Sequence, residues 1–514
     1  KMKKRIGLFS ALSMFMLLSG CGANTDNAAD SSAAVESEES VAASSESVEA
    51  VTGASEVTYS DPEELKESYD VIIIGSGGSG MSAAISAKDA GLNPVIFEKM
   101  PVHGGNTIKS SAGMNASATK FQAEQGIADS NELFYNETLA GGKNTNDPEL
   151  LHYLVDNSGP AIDWLDTMGI TLDNITVTGG MSVNRTHRPS DGSAVGQYLV
   201  EGLYANIMER EIPVFVNSAV TEIVMTDDKA SGVKVDFNNE GEITVSSDAV
   251  IIATGGFGAD FDMVTELAPQ LEGYVTTNQP GSTGDGIKMA EAIGAAVVDM
   301  DQIQIHPTVH QESSYLITEA IRGEGAILVN QQGERFVNEM ETRDTVSAAI
   351  NALEEGYAYL IFDAGVKDRV KAVNTYIEKG FVQSDETIEA LAGQLEMDSA
   401  TLAQTLTSWN ETIASQVDGA FNRTTGMVNP LAAAPYYAIQ IAPGIHHTMG
   451  GLKINSNAQV ISTEGTVIEG LYAAGEVTGG VHGSNRIGGN AVADIIVFGR
   501  QAGVQSASYV QSME

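Results

Sequence analysis

The chain has 514 residues, 54 of them Gly, and a formal net charge of −41. That length can bury a large core and hold two or three domains, and so acidic a surface repels nucleic acid and excludes it as a partner. A single cysteine, Cys21, excludes an intrachain disulfide, a c-type haem attachment and four-cysteine zinc or iron–sulfur ligation within this chain; no metal centre is expected.

Lys1, Lys3, Lys4 and Arg5 form a basic head. The apolar run after it, Ile6 to Leu18, is shorter than the ~18–20 residues that cross a bilayer. It closes on Leu18-Ser-Gly-Cys21, which resembles a bacterial lipobox. Residues 1–21 then read as a lipoprotein signal peptide with Cys21 as the lipidated residue; a plain secretory peptide with an incidental cysteine is the alternative. The first residue is Lys1, so the expected start is Met2. Two acyl chains at ~0.8 kcal/mol per buried CH₂ anchor a protein stably, so an extracytoplasmic, membrane-anchored location is expected.

Residues 22–65 are rich in Ser, Ala, Glu and Asp, without Lys or Arg. Such a segment buries too little to fold and reads as a disordered tether, with a reach of roughly 35 Å. Inside it, Glu49-Ala-Val-Thr-Gly-Ala-Ser55 resembles the acceptor motif for covalent FMN, with Ser55 as the attachment point. That motif usually begins with Asp, and the FMN domain that surrounds it elsewhere is missing; ordinary linker is the alternative.

Asp70-Val-Ile-Ile-Ile-Gly75 predicts a buried parallel strand. Ser79 to Ala90 predicts a helix stopped by Gly91, and Val95 to Glu98 the next strand. Further strand-turns are predicted at Ala249–Gly256 and Gly470–Glu476, with a mixed helix and strand insertion between them. Gly75, Gly77 and Gly80 follow a strand and open a helix, and Glu98 ends the next strand. This is a dinucleotide fingerprint: glycines for the turn, close phosphate approach and helix packing, a helix N-terminus for the phosphate, and an acid for ribose hydroxyls.

FAD and NAD share that fingerprint, but Ala253-Thr-Gly-Gly256 and Ala474-Gly-Glu476 favour FAD. These segments occur in order with Gly104-Gly-Asn-Thr107, Asn184-Arg-Thr-His-Arg-Pro189, His306-Pro-Thr308, Thr318-Glu-Ala-Ile-Arg322, Arg335-Phe-Val-Asn338, His446-His-Thr-Met449 and Gly475 to Gly483. From about residue 66 onward the chain resembles the flavoprotein part of soluble fumarate reductases of the flavocytochrome c type, within the succinate dehydrogenase/fumarate reductase flavoprotein family.

The resemblance implies an α/β fold: a two-segment FAD-binding Rossmann-like domain (66–300 and 448–514) with an inserted α+β clamp domain (301–447). It implies flavin contacts at Gly105, Asn106, Thr107, Gly113, Ala253, Thr254, Gly255, Asp285, His447, Glu476, Ala491 and Val492. Asn106 stands where membrane-bound relatives attach FAD to a histidine, so the FAD is expected to be non-covalent, and His103 is read as a loop histidine. Ala112 replaces the usual Gly near the isoalloxazine.

For substrate, the resemblance implies that Arg486, His446 and Gly489 hold one carboxylate and His306 with Thr318 the other. Arg343 is implied as proton donor, with Glu319 and Arg322 as its relay. An arginine acid has an intrinsic pKa above ~12, so it works only if a relay reprotonates it at once. Each residue alone reads as a surface charge or a packed histidine; the joint spacing carries the assignment. Tyr274, Tyr315, Trp164 and Trp409 are read as packing. The expected reaction is reduction of an unsaturated acid, fumarate first, as a terminal step of anaerobic respiration, with FMN, another flavoprotein or a quinol-linked partner as electron donor. A urocanate, methacrylate or cinnamate type acid, an L-aspartate-oxidase-like enzyme and a lipid-anchored flavin carrier are the other readings.

Overall fold

The computed structural model describes residues 57–513. Cys21, Ser55 and the signal segment lie outside them. Order begins before the tether's expected end: Ser60 N–H donates to Val214 O, and Tyr59 Oη lies 2.9 Å from His103 Nδ1. Backbone pairing and an aromatic contact hold this stretch, and its acidic composition does not reveal either.

The first layer is a parallel sheet. Strands β1 (Ser68–Ile74), β2 (Pro94–Phe97), β3 (Val214–Phe215), β4 (Glu242–Ile252) and β8 (Val467–Ala473) lie in the order β8-β4-β1-β2-β3. Ile72 pairs with Val95 on one side and Val250 on the other. Both faces of this sheet are covered, which is why its strands are continuous apolar runs. Helix α1 (Gly78–Asp89) and helix α3 (Asn490–Gln511) pack together across it. α1 is buried along most of its length, so its small residues carry no amphipathic stripe.

A second, antiparallel layer holds β5 (Ile303–His310), β6 (Ala358–Asp363) and β7 (Tyr436–Thr448), with helix α2 (Arg343–Asn351) against it. Two hydrophobic cores result. The buried residues of one run from 69 to 295 and from 445 to 510; those of the other run from 317 to 441. β7 joins them. Its residues from Tyr436 to Ile441 pair with β6, and those from Ala442 to Thr448 pair with β5. The strand therefore leaves one core and delivers His446 and His447 to the edge of the other. Among the described residues no helix is long and apolar enough to cross a membrane.

Candidate active site

The turn after β1 is built as the spacing predicts. Gly75 has φ +105, which favours glycine, and a Cβ on Gly80 would lie 2.0 Å from Gly75 O. Glu98 braces the turn by accepting from Ser76 N at 2.9 Å and Ser76 Oγ at 2.7 Å, with Met100 N on its other oxygen. Thr107 Oγ1 accepts from Gly78 N at 2.9 Å. Asp285 is paired with Lys99 at 2.6 Å.

A cavity runs from Gly75 and Gly77 past Glu98, Thr254, Gly255 and Asp285. A second shares Asn106, Thr107 and Glu476 with the first and continues to Arg343, His446 and Arg486. Together they make an elongated cleft, the shape a dinucleotide needs. Thr254 Oγ1 and His447 Nε2 are buried without partners in its walls, and a buried unpaired polar atom costs ~1–3 kcal/mol. The residues therefore fit a long polar ligand. Gly113, Ala112, Gly489, Ala491 and Val492 line the second cavity. Gly105 lines the first, and Ala253 closes over Gly75.

The far end of the cleft is cationic. Arg343, the first residue of α2, is buried and donates through Nη2 to Glu319 Oε2 at 3.0 Å. Arg322 stands 3.6 Å from the other oxygen of Glu319. Burial alone raises the Glu319 pKa, but the Arg343 and Arg322 charges together outweigh it and hold the carboxyl below its usual range. Arg486 is pushed down to about 9, first by burial and then by the Arg343 charge.

Gln304, which the motifs do not mark, ties the two cations together. Its Oε1 accepts from Arg343 at 3.3 Å and from Arg486 at 3.1 Å, while Nε2 donates to Asn485 and to Arg486 O. It lies two residues before His306 on β5, hence on the same strand face, and that is the signal that could have found it. Thr277, 2.7 Å from His446 Nδ1, and Asn278, 2.6 Å from Asn106, are also unmarked by motif.

His446 lines the cavity; burial and the charges of Arg343 and Arg486 hold its pKa well below the usual value. His306 and Thr318 are buried and do not line it. His306 sits edge-on to His446, ring centroids 5.2 Å apart. Its Nδ1 accepts from Thr308 N, which places the proton on Nε2, and Nε2 has no partner. Thr318 N donates to Tyr376 Oη at 3.0 Å, and its hydroxyl donates to Ser111 O. His103 is stacked on Tyr204 at 3.8 Å. Trp409 packs in the second core, and Tyr315 is exposed.

A dinucleotide turn opening onto a buried cluster of arginine and histidine defines an oxidoreductase site for an anionic substrate. The family described as FAD binding domain matches residues 70–492. The chain is 55% identical over 441 residues to an NADH:fumarate oxidoreductase of Klebsiella pneumoniae, covering 86% of this chain and 48% of that protein. It therefore spans about half the length of that relative. It is 45% identical over 445 residues to a fumarate reductase (cytochrome) of Shewanella frigidimarina, covering 86% and 78%. The solved open conformation of a flavocytochrome c3 fumarate reductase matches with a TM-score of 0.72 and 39% identity, covering 87% and 79%. The chain belongs to this FAD-binding family of oxidoreductases, together with the fumarate reductase flavoproteins of the flavocytochrome c type. The parallel FAD-binding sheet and the additional antiparallel domain are the architecture of that group.

Proposed function

We propose that the protein is a reductase of an unsaturated carboxylic acid, converting fumarate to succinate. One observation carries the reading: a buried arginine already bonded to a carboxylate, Arg343 with Glu319, stands beside Arg486 and His446 at the end of the FAD cleft. The Gly75–Gly80 turn, Glu98, the Asn106 loop and Glu476 would hold FAD non-covalently, and the chemistry it would supply there is hydride donation to an alkene carbon.

Arg486 and His446 hold a carboxylate and draw charge toward it, which lowers the energy of the developing carbanion in a water-poor site. Arg343 gives a proton to the other carbon. Glu319 reprotonates it and is reprotonated through Arg322. The depressed pKa of Glu319 suits a relay that carries the proton only briefly. Two electrons and two protons then convert the alkene to the saturated acid.

In this reading the enzyme is extracytoplasmic, lipidated at Cys21, and serves anaerobic respiration. Its electrons come from FMN on Ser55 or from a flavoprotein or quinol-linked partner. The lipobox and the tether motif support that part of the reading.

A second substrate reading has one observation behind it. His306 and Thr318, the pair for a second carboxylate, do not line the cavity. An acid of the urocanate, methacrylate or cinnamate type, with one carboxylate, needs only Arg486 and His446.

The test follows anaerobic oxidation of reduced methyl viologen by the FAD-loaded protein with fumarate, urocanate, methacrylate and cinnamate in turn. Turnover with fumarate alone supports the first reading, and turnover with another acid alone the second. Silence with all four favours a flavin carrier or, if oxygen is consumed with succinate or aspartate, an oxidase. Arg343→Lys is expected to abolish turnover, by ~10³-fold or more, with FAD still bound. Electron transfer that survives this change together with full turnover would remove the proton-donor role.

A further inference from the structure

The relay passes through one carboxylate. Glu319 Oε2 faces Arg343 at 3.0 Å and Oε1 faces Arg322 at 3.6 Å. To receive a proton on one oxygen and release one from the other, the carboxylate plane must stay between the two guanidinium groups.

Glu319, Arg322 and Arg343 belong to the segment that carries the second core, yet the groups closing around the carboxylate come from elsewhere in the chain. A Cβ on Gly179 would lie 2.9 Å from Glu319 Oε1. A Cβ on Gly488 would lie 2.6 Å from Glu319 Oε2, 2.8 Å from Arg343 Nη2 and 2.8 Å from Thr178 Oγ1. The three polar atoms therefore converge on one point beside the Gly488 backbone, which approaches as closely as only glycine allows. The 178–180 segment is fastened to the stretch leading into α2: Gly180 N–H donates to Met340 O at 3.3 Å. Next along the same helix, Asp344 pairs with Lys143 at 2.6 Å.

Thr178 is buried, and its hydroxyl has no hydrogen-bond partner. Leaving such a group unpaired costs ~1–3 kcal/mol. Packing does not need the hydroxyl, because valine has the same shape. The relay pair is the polar group it faces.

We propose that Thr178 is a positioning residue for proton delivery: in turnover its hydroxyl hydrogen-bonds the Glu319–Arg343 pair across Gly488 and keeps the carboxylate plane between Arg343 and Arg322. Thr178 keeps its own proton. The proton that Arg343 gives to the alkene carbon is replaced from Glu319, and that of Glu319 from Arg322. The inference rests on the reductase reading above.

The test compares Thr178→Val and Thr178→Ser with the unsubstituted, FAD-loaded protein in the viologen assay, using the acid that turns over. Misplacing a reacting group slightly costs ~10- to 100-fold in rate. Thr178→Val is expected to lose about that much in kcat, with KM within about twofold and a larger solvent deuterium isotope effect. Flavin content and the rate of FAD reduction by viologen are expected to stay as they were, and the thermal midpoint to hold or rise as the unpaired hydroxyl is removed. Thr178→Ser is expected to restore the rate and the isotope effect. Full activity of Thr178→Val overturns the proposal, as does an equal defect in both variants or a defect that comes with lost FAD or a lowered midpoint. If the unsubstituted protein is silent with every acid, the reductase reading fails and takes this inference with it. If it turns over and valine has no effect, this inference alone fails.

Discussion

Arg343 and Arg486 are two guanidinium groups sharing one acceptor, Gln304 Oε1. Burial and the neighbouring Arg343 charge work against the Arg486 cation and push its pKa down to about 9. An anion would offset that repulsion, which suits the carboxylate substrate proposed above. The sign is direct: the cation is present below about 9 and is lost above it. Succinate affinity, followed by the flavin spectrum, is expected to be flat near pH ~7–8 and to weaken by up to about tenfold per pH unit beyond the Arg486 pKa. A dissociation constant unchanged up to pH ~10 would show that Arg486 keeps its proton in the anion site. The charged members of the site carried a motif, but Gln304, Thr277 and Thr178 did not. Amides and hydroxyls are common on any strand or turn, and only their neighbours in space distinguish these.

At the scale of elements, α1 shows packing overriding propensity. Alanine at position 80 would favour the helix by ~1 kcal/mol over glycine. Its Cβ would, however, lie 2.0 Å from the backbone oxygen of Gly75, which no side-chain rotation relieves. Overpacking of this kind costs ~1–3 kcal/mol or more, so the clash wins. Gly80→Ala is expected to lower stability by about 2 kcal/mol and to weaken FAD binding, read by denaturation and by flavin retention. A variant of normal stability that keeps its flavin would show that the turn yields. The strands and helix of this half were legible because their determinants are local. The expected strand 70–75 is Ser68–Ile74, the expected helix 79–90 is Gly78–Asp89, and the strand 95–98 is Pro94–Phe97. β7 was less legible: one strand serves two cores, so its apolar pattern follows two sets of neighbours.

At the scale of the molecule, folding buries several histidines in the neutral state. His187 is pushed down to about 4 by burial, and His306, His446 and His447 lie well below their usual value for the same first reason. The unfolded chain binds a proton at each near pH ~6.5, so it holds more protons than the native state below that pH. Stability is therefore present above pH ~6.5 and is lost as pH falls toward about 4, by roughly 3 kcal/mol for His187 alone. The denaturation midpoint is expected to be clearly lower near pH ~5 than near pH ~7. Equal midpoints would mean that these rings are not buried neutral.

The sequence alone determined what depends on neighbours in the chain: the glycine turn with its strand and helix, and the i,i+3 pair of Glu319 and Arg322. A steric rule or a residue's own chemistry suffices there. The tertiary structure decided which remote groups meet. Strand register sets Gln304 between Arg343 and Arg486, and two glycines from segments 309 residues apart in number, Gly179 and Gly488, close on the same carboxylate. It also decided that His306 stands behind His446, away from the cavity wall. Such distances follow from sheet pairing and core packing over hundreds of residues, and no local pattern encodes them.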